Sequence, residues 1–373
     1  MMSAYESVFY NILKSSLWGT PAEVPQGFNE WGKVFALAKS QAVLGLVSNY
    51  VLGAEVIAQK IPEDMKKRLK SFMMANVVTH TGLNNTLIRV VSLLNEAGID
   101  SVLLKGQGLA RNYPMPELRQ CGDIDLYVGD ENAERVYELL KPIATEIDEL
   151  SEIRVTKHFH VHVGTVIIEV HRFADIHSSS TFNKIYQDYA ETGLTQNLVS
   201  LDFAGVTVNT PSNNFNAFYV FNHLWHHFMT SGVGLRQLCD WMMFLHSHYG
   251  HLDLVYLAEV LDKMDLMKPW KVFGCILVDT LGMPSQEFPF YDVGYLSKGK
   301  KALDRILKEG NFGQNTAYAR KRKGSYFAEK WFSFKCRFSR YIGLFRVFPC
   351  HAIRQFWYML SAGIKAVWKD KVR

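Results

Sequence analysis

Residues Arg119-Gln-Cys-Gly-Asp-Ile-Asp-Leu-Tyr-Val128 set the strongest constraint on this chain. Asp123, Asp125 and Tyr127 alternate with Ile124, Leu126 and Val128, the two-residue period of a strand with one apolar face. Both aspartates therefore point the same way, roughly 7 Å apart along the backbone, and their carboxylates can converge on one cation. The bland alternative is a strand whose acidic face is simply solvated.

A second strand pattern weighs against that alternative. Glu169 lies within Val166-Ile-Ile-Glu-Val-His171, a charge flanked by apolar residues on both sides. Such a charge is costly unless it has a partner. Two carboxylates on one strand and a third on a neighbour are what an in-line phosphoryl transfer needs to hold two divalent ions ~3.5–4 Å apart. Magnesium takes hard oxygen ligands and uses one or two carboxylates plus substrate phosphates. Without a cation the two aspartates repel. Neutralising both is therefore expected to stabilise the metal-free protein or leave it unchanged.

The surroundings divide the chain. Residues 1–98 read as an N-terminal helical region, since Met65, Leu69, Phe72, Met73 and Val77 recur at three- and four-residue steps and Pro62 suits a helix start. Residues 99–210 read as an α/β core. It opens with the short apolar run 101–104, which ends in Lys105-Gly106-Gln107-Gly108. It has Asp130 as a candidate cap for a helix reaching about Lys141, alternation over 153–173, and Gly164-Thr165 as a hairpin turn. Residues 211–310 read as helices packing on that core, and 311–373 as basic, aromatic C-terminal helices. The two helical regions are expected to share one body.

The order of motifs carries a resemblance. Leu103-Leu-Lys-Gly-Gln-Gly-Leu-Ala-Arg-Asn-Tyr113, Leu118-Arg119, Gly122-Asp-Ile-Asp-Leu126 and Glu169-x-His171 resemble the bacterial uncharacterised nucleotidyltransferase family of the DNA polymerase β-like superfamily, over about residues 35–245. The resemblance implies an α+β fold: a small mixed sheet with flanking helices, embedded between helical regions. It implies an enzyme that moves a nucleoside monophosphate from an NTP to an acceptor hydroxyl on a protein, a small molecule or an RNA end. It makes Asp123 and Asp125 the paired ligands of Mg²⁺ or Mn²⁺, and Glu169 the third. Lys105-Gly106 stands where the superfamily usually has Gly-Ser, and the gap from Gly106 to Asp123 is a little long.

Other polar residues have two readings each. Lys105 could neutralise the β- and γ-phosphates, with Gly106, Gln107 and Gly108 bringing backbone amides close, or be a plain strand-end lysine. Arg119 could hold a phosphate bidentately or neutralise the acidic cluster. His171 shares the face of Glu169 and could orient that carboxylate, contact substrate or be a core histidine. Arg236 and Asp240 stand at i, i+4 on a predicted helix, either an intrahelical pair or nucleotide contacts. His158, His160 and His162 alternate along one strand face, but span too far for all three to reach one zinc ion. His223 and His227 lie one helical turn apart, yet Leu224 occupies the position where a metalloprotease helix needs glutamate.

Composition narrows the class. Hydrophobic residues make up 48% and charged residues 21%, which excludes a disordered chain. The five cysteines have no CxxC spacing and read as reduced thiols of a cytoplasmic protein. No apolar run reaches membrane-spanning length. The net charge of +5 conceals a tail: residues 320–373 hold 14 Lys or Arg against Glu329 and Asp370, a balance of +12, so the remainder carries −7. Phe327, Trp331, Phe334, Phe338 and Tyr341 recur at helical spacing, which favours packing on the body. Peripheral contact with an anionic membrane or nucleic acid is the alternative. A catalytically degenerate nucleotide-binding or scaffolding protein, or a nucleic-acid-binding module built on the tail, are the rival functions.

Overall fold

The structure, a computed structural model, describes residues 2–315, 335 and 338–371. Seven strands form one mixed sheet: β1 (Val102–Leu103), β2 (Asp123–Tyr127), β3 (Glu146–Ile147), β4 (His158–Val163), β5 (Val166–His171), β6 (Val199–Phe203) and β7 (Val206–Thr210). Their order is β3-β4-β5-β2-β1-β7-β6. β2 and β5 run parallel in register, Asp125 opposite Glu169, while β4 and β5 form an antiparallel hairpin over Gly164 and Thr165. This small mixed sheet between helical regions is the fold class the motifs imply.

Alternation gives the sheet two chemically different faces. Ile124, Leu126, Phe159, Val161, Ile168 and Val170 point to one side, into an apolar core. The long helix Glu63–Glu96 closes that core with Leu83, Leu87, Val90, Val91 and Leu94, a stripe at three- and four-residue steps. Farther back, Leu69 of the same helix enters a second and larger core. There the helices Ala4–Trp18, Trp31–Ser40 and Leu44–Gly53 pack with Asn213–Thr230, Leu235–Ser247 and Met267–Asp279. The N-terminal and later helices thus share one apolar interior, whose centre is aromatic: Phe221 lies 4.6 Å from Trp241 and 5.1 Å from Trp270, centroid to centroid. The charged face of the sheet looks toward this helical layer.

One expectation changes. Asp130 does not cap the following helix, which begins at Ala133 after Asn132; its carboxylate instead accepts from Arg172 Nε at 2.6 Å, because Arg172 emerges beside it at the end of β5. The tail's aromatic stripe lies largely outside the described residues, as do Arg320–Lys323, Phe327, Trp331 and Phe334. Of the described part, Leu344, Val347, Phe348 and Ala352 enter the large core, and Phe348 sits 4.8 Å from Trp225. Phe338, Phe345 and Trp357 stay exposed. Among the described residues no helix is long and apolar enough to cross a membrane.

Candidate active site

The parallel register of β2 and β5 places Glu169 directly beside Asp125, with Asp123 two residues along the same face. The turn after β1 then delivers a cation. Leu104 N–H donates to Asp125 O at 3.0 Å, so the chain keeps its antiparallel pairing alongside β2 up to the turn at Gly106. Gly106 adopts φ +55° and ψ −117°, a region that side-chain-bearing residues avoid. Lys105, carried on this turn, places Nζ 2.9 Å from Asp125 Oδ1. His171 closes the other side, with Nε2 3.1 Å from Asp125 Oδ1 and 3.3 Å from Glu169 Oε2.

The charges are unequal in their surroundings. Burial alone would raise the Asp125 carboxyl, but Lys105 and His171 hold it well below its ordinary value. Burial opposes ionisation of Glu169 too, but its bond to His171 together with the attraction of His158 and His171 outweighs it, so this carboxyl is also lowered. Asp123 has no such partner: burial, then the negative charge of Asp125, raises it. Against burial, Asp125 raises the Lys105 ammonium, and the bonds to Asp125 and Glu169 raise the His171 imidazole. The cluster is therefore short of positive charge at Asp123. Three carboxylates on one face, Asp123 and Glu169 still partly exposed, fit a divalent cation with oxygen ligands.

The helix Asn213–Thr230 crosses over this face. His223 Nε2 lies 3.5 Å from Lys105 Nζ, and the His223 and His227 rings are 4.4 Å apart. Burial and Lys105 depress His223 well below its usual range, while burial and His226 lower His227 to about 3, so both rings are neutral at pH 7. Sequence spacing left these two as a failed metalloprotease motif; their proximity to Lys105 comes from helix packing, which no local pattern signals.

Arg119 belongs to a different arrangement from the one its position suggested. Its guanidinium grips Asp240 with two bonds, Nε to Oδ1 at 2.6 Å and Nη2 to Oδ2 at 2.7 Å, and Tyr113 donates to the same carboxylate at 2.7 Å. With both side chains about 5% exposed or less, neither is free for a phosphate. The intrahelical pair of Arg236 with Asp240 does not form, because Arg119 and Tyr113 take the carboxylate. Arg236 instead donates to Gln120 O at 2.8 Å, while Gln120 Oε1 accepts from Leu44 N–H at 3.2 Å. Together these bonds clamp the segment entering β2 and so fix where Asp123 begins. Gln107 is buried, and neither of its amide atoms has a hydrogen-bond partner among the described residues.

The histidines of β4 join the site from its outer edge. His158 stands opposite His171 and His160 opposite Glu169. His160 Nδ1 pairs with Asp148 Oδ2 at 2.9 Å, and its Nε2 lies 3.7 Å from Glu169 Oε1. Along one strand His158, His160 and His162 span too far for all three to reach one ion; across the hairpin, His158 and His160 flank Glu169.

Known proteins place the chain. No curated protein matches it. Among solved structures, an antigenic nucleotidyltransferase-like protein from Paracoccidioides brasiliensis aligns over 58% of this chain and 96% of its own, with 14% identity and a TM-score of 0.33. A family described as uncharacterised nucleotidyltransferase matches residues 28–279, from just before the helix Trp31–Ser40 through the charged face to the helix Met267–Asp279, and the chain belongs to that family.

Proposed function

We propose that this protein transfers a nucleoside monophosphate from an NTP to an acceptor hydroxyl. The observation that carries the reading is the register of Asp125 with Glu169 on adjacent strands, Asp123 sharing their face and Lys105 Nζ 2.9 Å from Asp125. Asp123, Asp125 and Glu169 would hold two divalent cations, Mg²⁺ or Mn²⁺. Bound there, the ions would neutralise the triphosphate and ease ionisation of the acceptor. Lys105 would shift from Asp125 to the phosphates, which its flexible stem permits. The Gly106 turn lets backbone amides approach the same phosphates. The acceptor oxygen bonds to the α-phosphorus, the bridging bond to the β-phosphate breaks, and pyrophosphate leaves. Glu169, oriented by His171, takes the acceptor's proton. Arg119, Asp240 and Arg236 act at a distance, by holding the strand entry in place.

A second reading has one observation of its own. Asp125 Oδ1 is already engaged by both Lys105 and His171. A protein that kept those bonds would bind a nucleotide without transferring it. One experiment separates the two. The protein is incubated in lysate with Mg²⁺ and each α-³²P-labelled NTP, beside its Asp123→Asn/Asp125→Asn variant. Label on an acceptor with the native protein alone supports transfer. NTP binding with no labelled acceptor, whatever the base, supports the second reading.

A further inference from the structure

Beside His171, which orients it, Glu169 has a second histidine neighbour, His158, that the transfer reading does not use. One ligand atom each from His158, Glu169 and His171 lies within 4.8 Å of the others. Glu169 Oε2 is 3.3 Å from His171 Nε2 and 3.8 Å from His158 Nδ1. The hairpin register makes this: His158 pairs with His171 across β4 and β5, one step from Glu169.

The rings are turned as ligands are. His171 Nδ1 sits 3.3 Å from Phe173 O, a carbonyl that can only accept, so Nδ1 carries the hydrogen there. That leaves Nε2 facing Glu169 Oε2 and Asp125 Oδ1, a position where either a proton on the ring or a metal ion in its place balances the carboxylate charge. A histidine that donates one nitrogen to a backbone carbonyl and presents the other is the usual posture of a metal-bound imidazole. His158 Nδ1 is buried with no hydrogen-bond partner among the described residues, an arrangement that costs free energy unless something binds it. His160 is held the same way from outside, its Nδ1 on Asp148 and its Nε2 directed at Glu169.

Two imidazoles and one carboxylate are a poor set for magnesium, which prefers oxygen, and a good one for zinc, manganese, cobalt or iron(II). We propose that His158, Glu169 and His171 bind one divalent transition-metal ion at the outer edge of the carboxylate site. The proposal shares Glu169 and His171 with the transfer reading but does not depend on nucleotide chemistry.

The probe is Co²⁺, added to full-length protein stripped with EDTA. The expected result is one Co²⁺ per chain with a visible absorption band, retained in a roughly hundredfold excess of Mg²⁺. His158→Ala and His158→Gln, each checked by thermal melting, should both weaken Co²⁺ at least about tenfold. No band, a band displaced by Mg²⁺, or unchanged affinity in both folded variants overturns the proposal. Asp123→Asn separates it from the transfer reading, since Asp123 is outside the cradle. A band that survives this substitution supports the separate site; a band that disappears with it, while persisting in the His158 variants, places the metal on the aspartates and overturns it. Native protein that keeps the band but never binds Mg²⁺–NTP contradicts the transfer reading alone.

Discussion

Arg119 and Asp240 form a two-pronged ion pair between the segment entering β2 and the helix Leu235–Ser247. Removing one member of a buried pair leaves the other charge without compensation, which costs about 3–5 kcal/mol. Arg119→Ala is therefore expected to lower unfolding free energy by that order. Arg119→Met with Asp240→Leu should recover much of it. Urea denaturation measures both. Normal stability in Arg119→Ala, with nucleotide binding lost, would return Arg119 to a phosphate-binding role.

The two aspartates of β2 should behave differently when the metal-free protein is melted in EDTA. Like-charge repulsion alone would predict that neutralising either is harmless. But Asp125 is bonded to Lys105 and His171, whereas at Asp123 burial and the charge of Asp125 outweigh the attraction of Lys105 and Arg236. Asp123→Asn should be neutral or stabilising, and Asp125→Asn should destabilise by about 1–3 kcal/mol. Equal effects would mean that the Lys105 bond contributes nothing.

Much of this site was legible because β-strand chemistry is local. The two-residue period exposed β2 and β5, the apolar flanks of Glu169 marked a charge that needed a partner, and Gly164-Thr165 located the hairpin. What failed to show was pairing at long range. Nothing near Arg119 indicates that Asp240 will occupy it, and the i, i+4 spacing of Arg236 and Asp240 suggested a plausible but wrong partner. Likewise, His158, His160 and His162 span too far along one strand for all three to reach one ion, and the register that sets His158 beside His171 and His160 beside Glu169 is a property of two strands.

Lys105 is the nearest cation to Asp125. If it moves to the triphosphate, Lys105→Ala removes a charge-assisted contact worth about 1.5–3 kcal/mol, a loss of roughly tenfold or more in affinity. Calorimetry with Mg²⁺–NTP checks this, and unchanged affinity would make Lys105 only the structural partner of Asp125.

Asp175 offers a test away from the carboxylate face. It is buried, with Lys157 Nζ 3.3 Å and His226 Nδ1 3.9 Å from its carboxylate oxygens. Burial would raise this carboxyl, but His226 and Lys157 prevail and lower it. A carboxyl lowered on folding stabilises the native state above its unfolded value, about 3.9, and that stabilisation is lost as pH falls through the depressed folded value. Asp175→Asn should thus be less stable than the native protein at pH 6, with the difference narrowing below about pH 4. Denaturant midpoints across that range decide it; a constant difference would show that Asp175 acts through shape and not charge.

The most direct measurement of the central claim uses the same NTP labelled at either end. With Mg²⁺ and lysate, the account predicts that label from the α-phosphate moves to an acceptor while label from the γ-phosphate leaves as pyrophosphate. It also predicts that Asp123→Asn/Asp125→Asn reduces the transfer at least about a hundredfold, as loss of the metal ligands requires. Label that reaches the acceptor from the γ-phosphate, or α-label transfer that the double variant performs as well as the native protein, would contradict it.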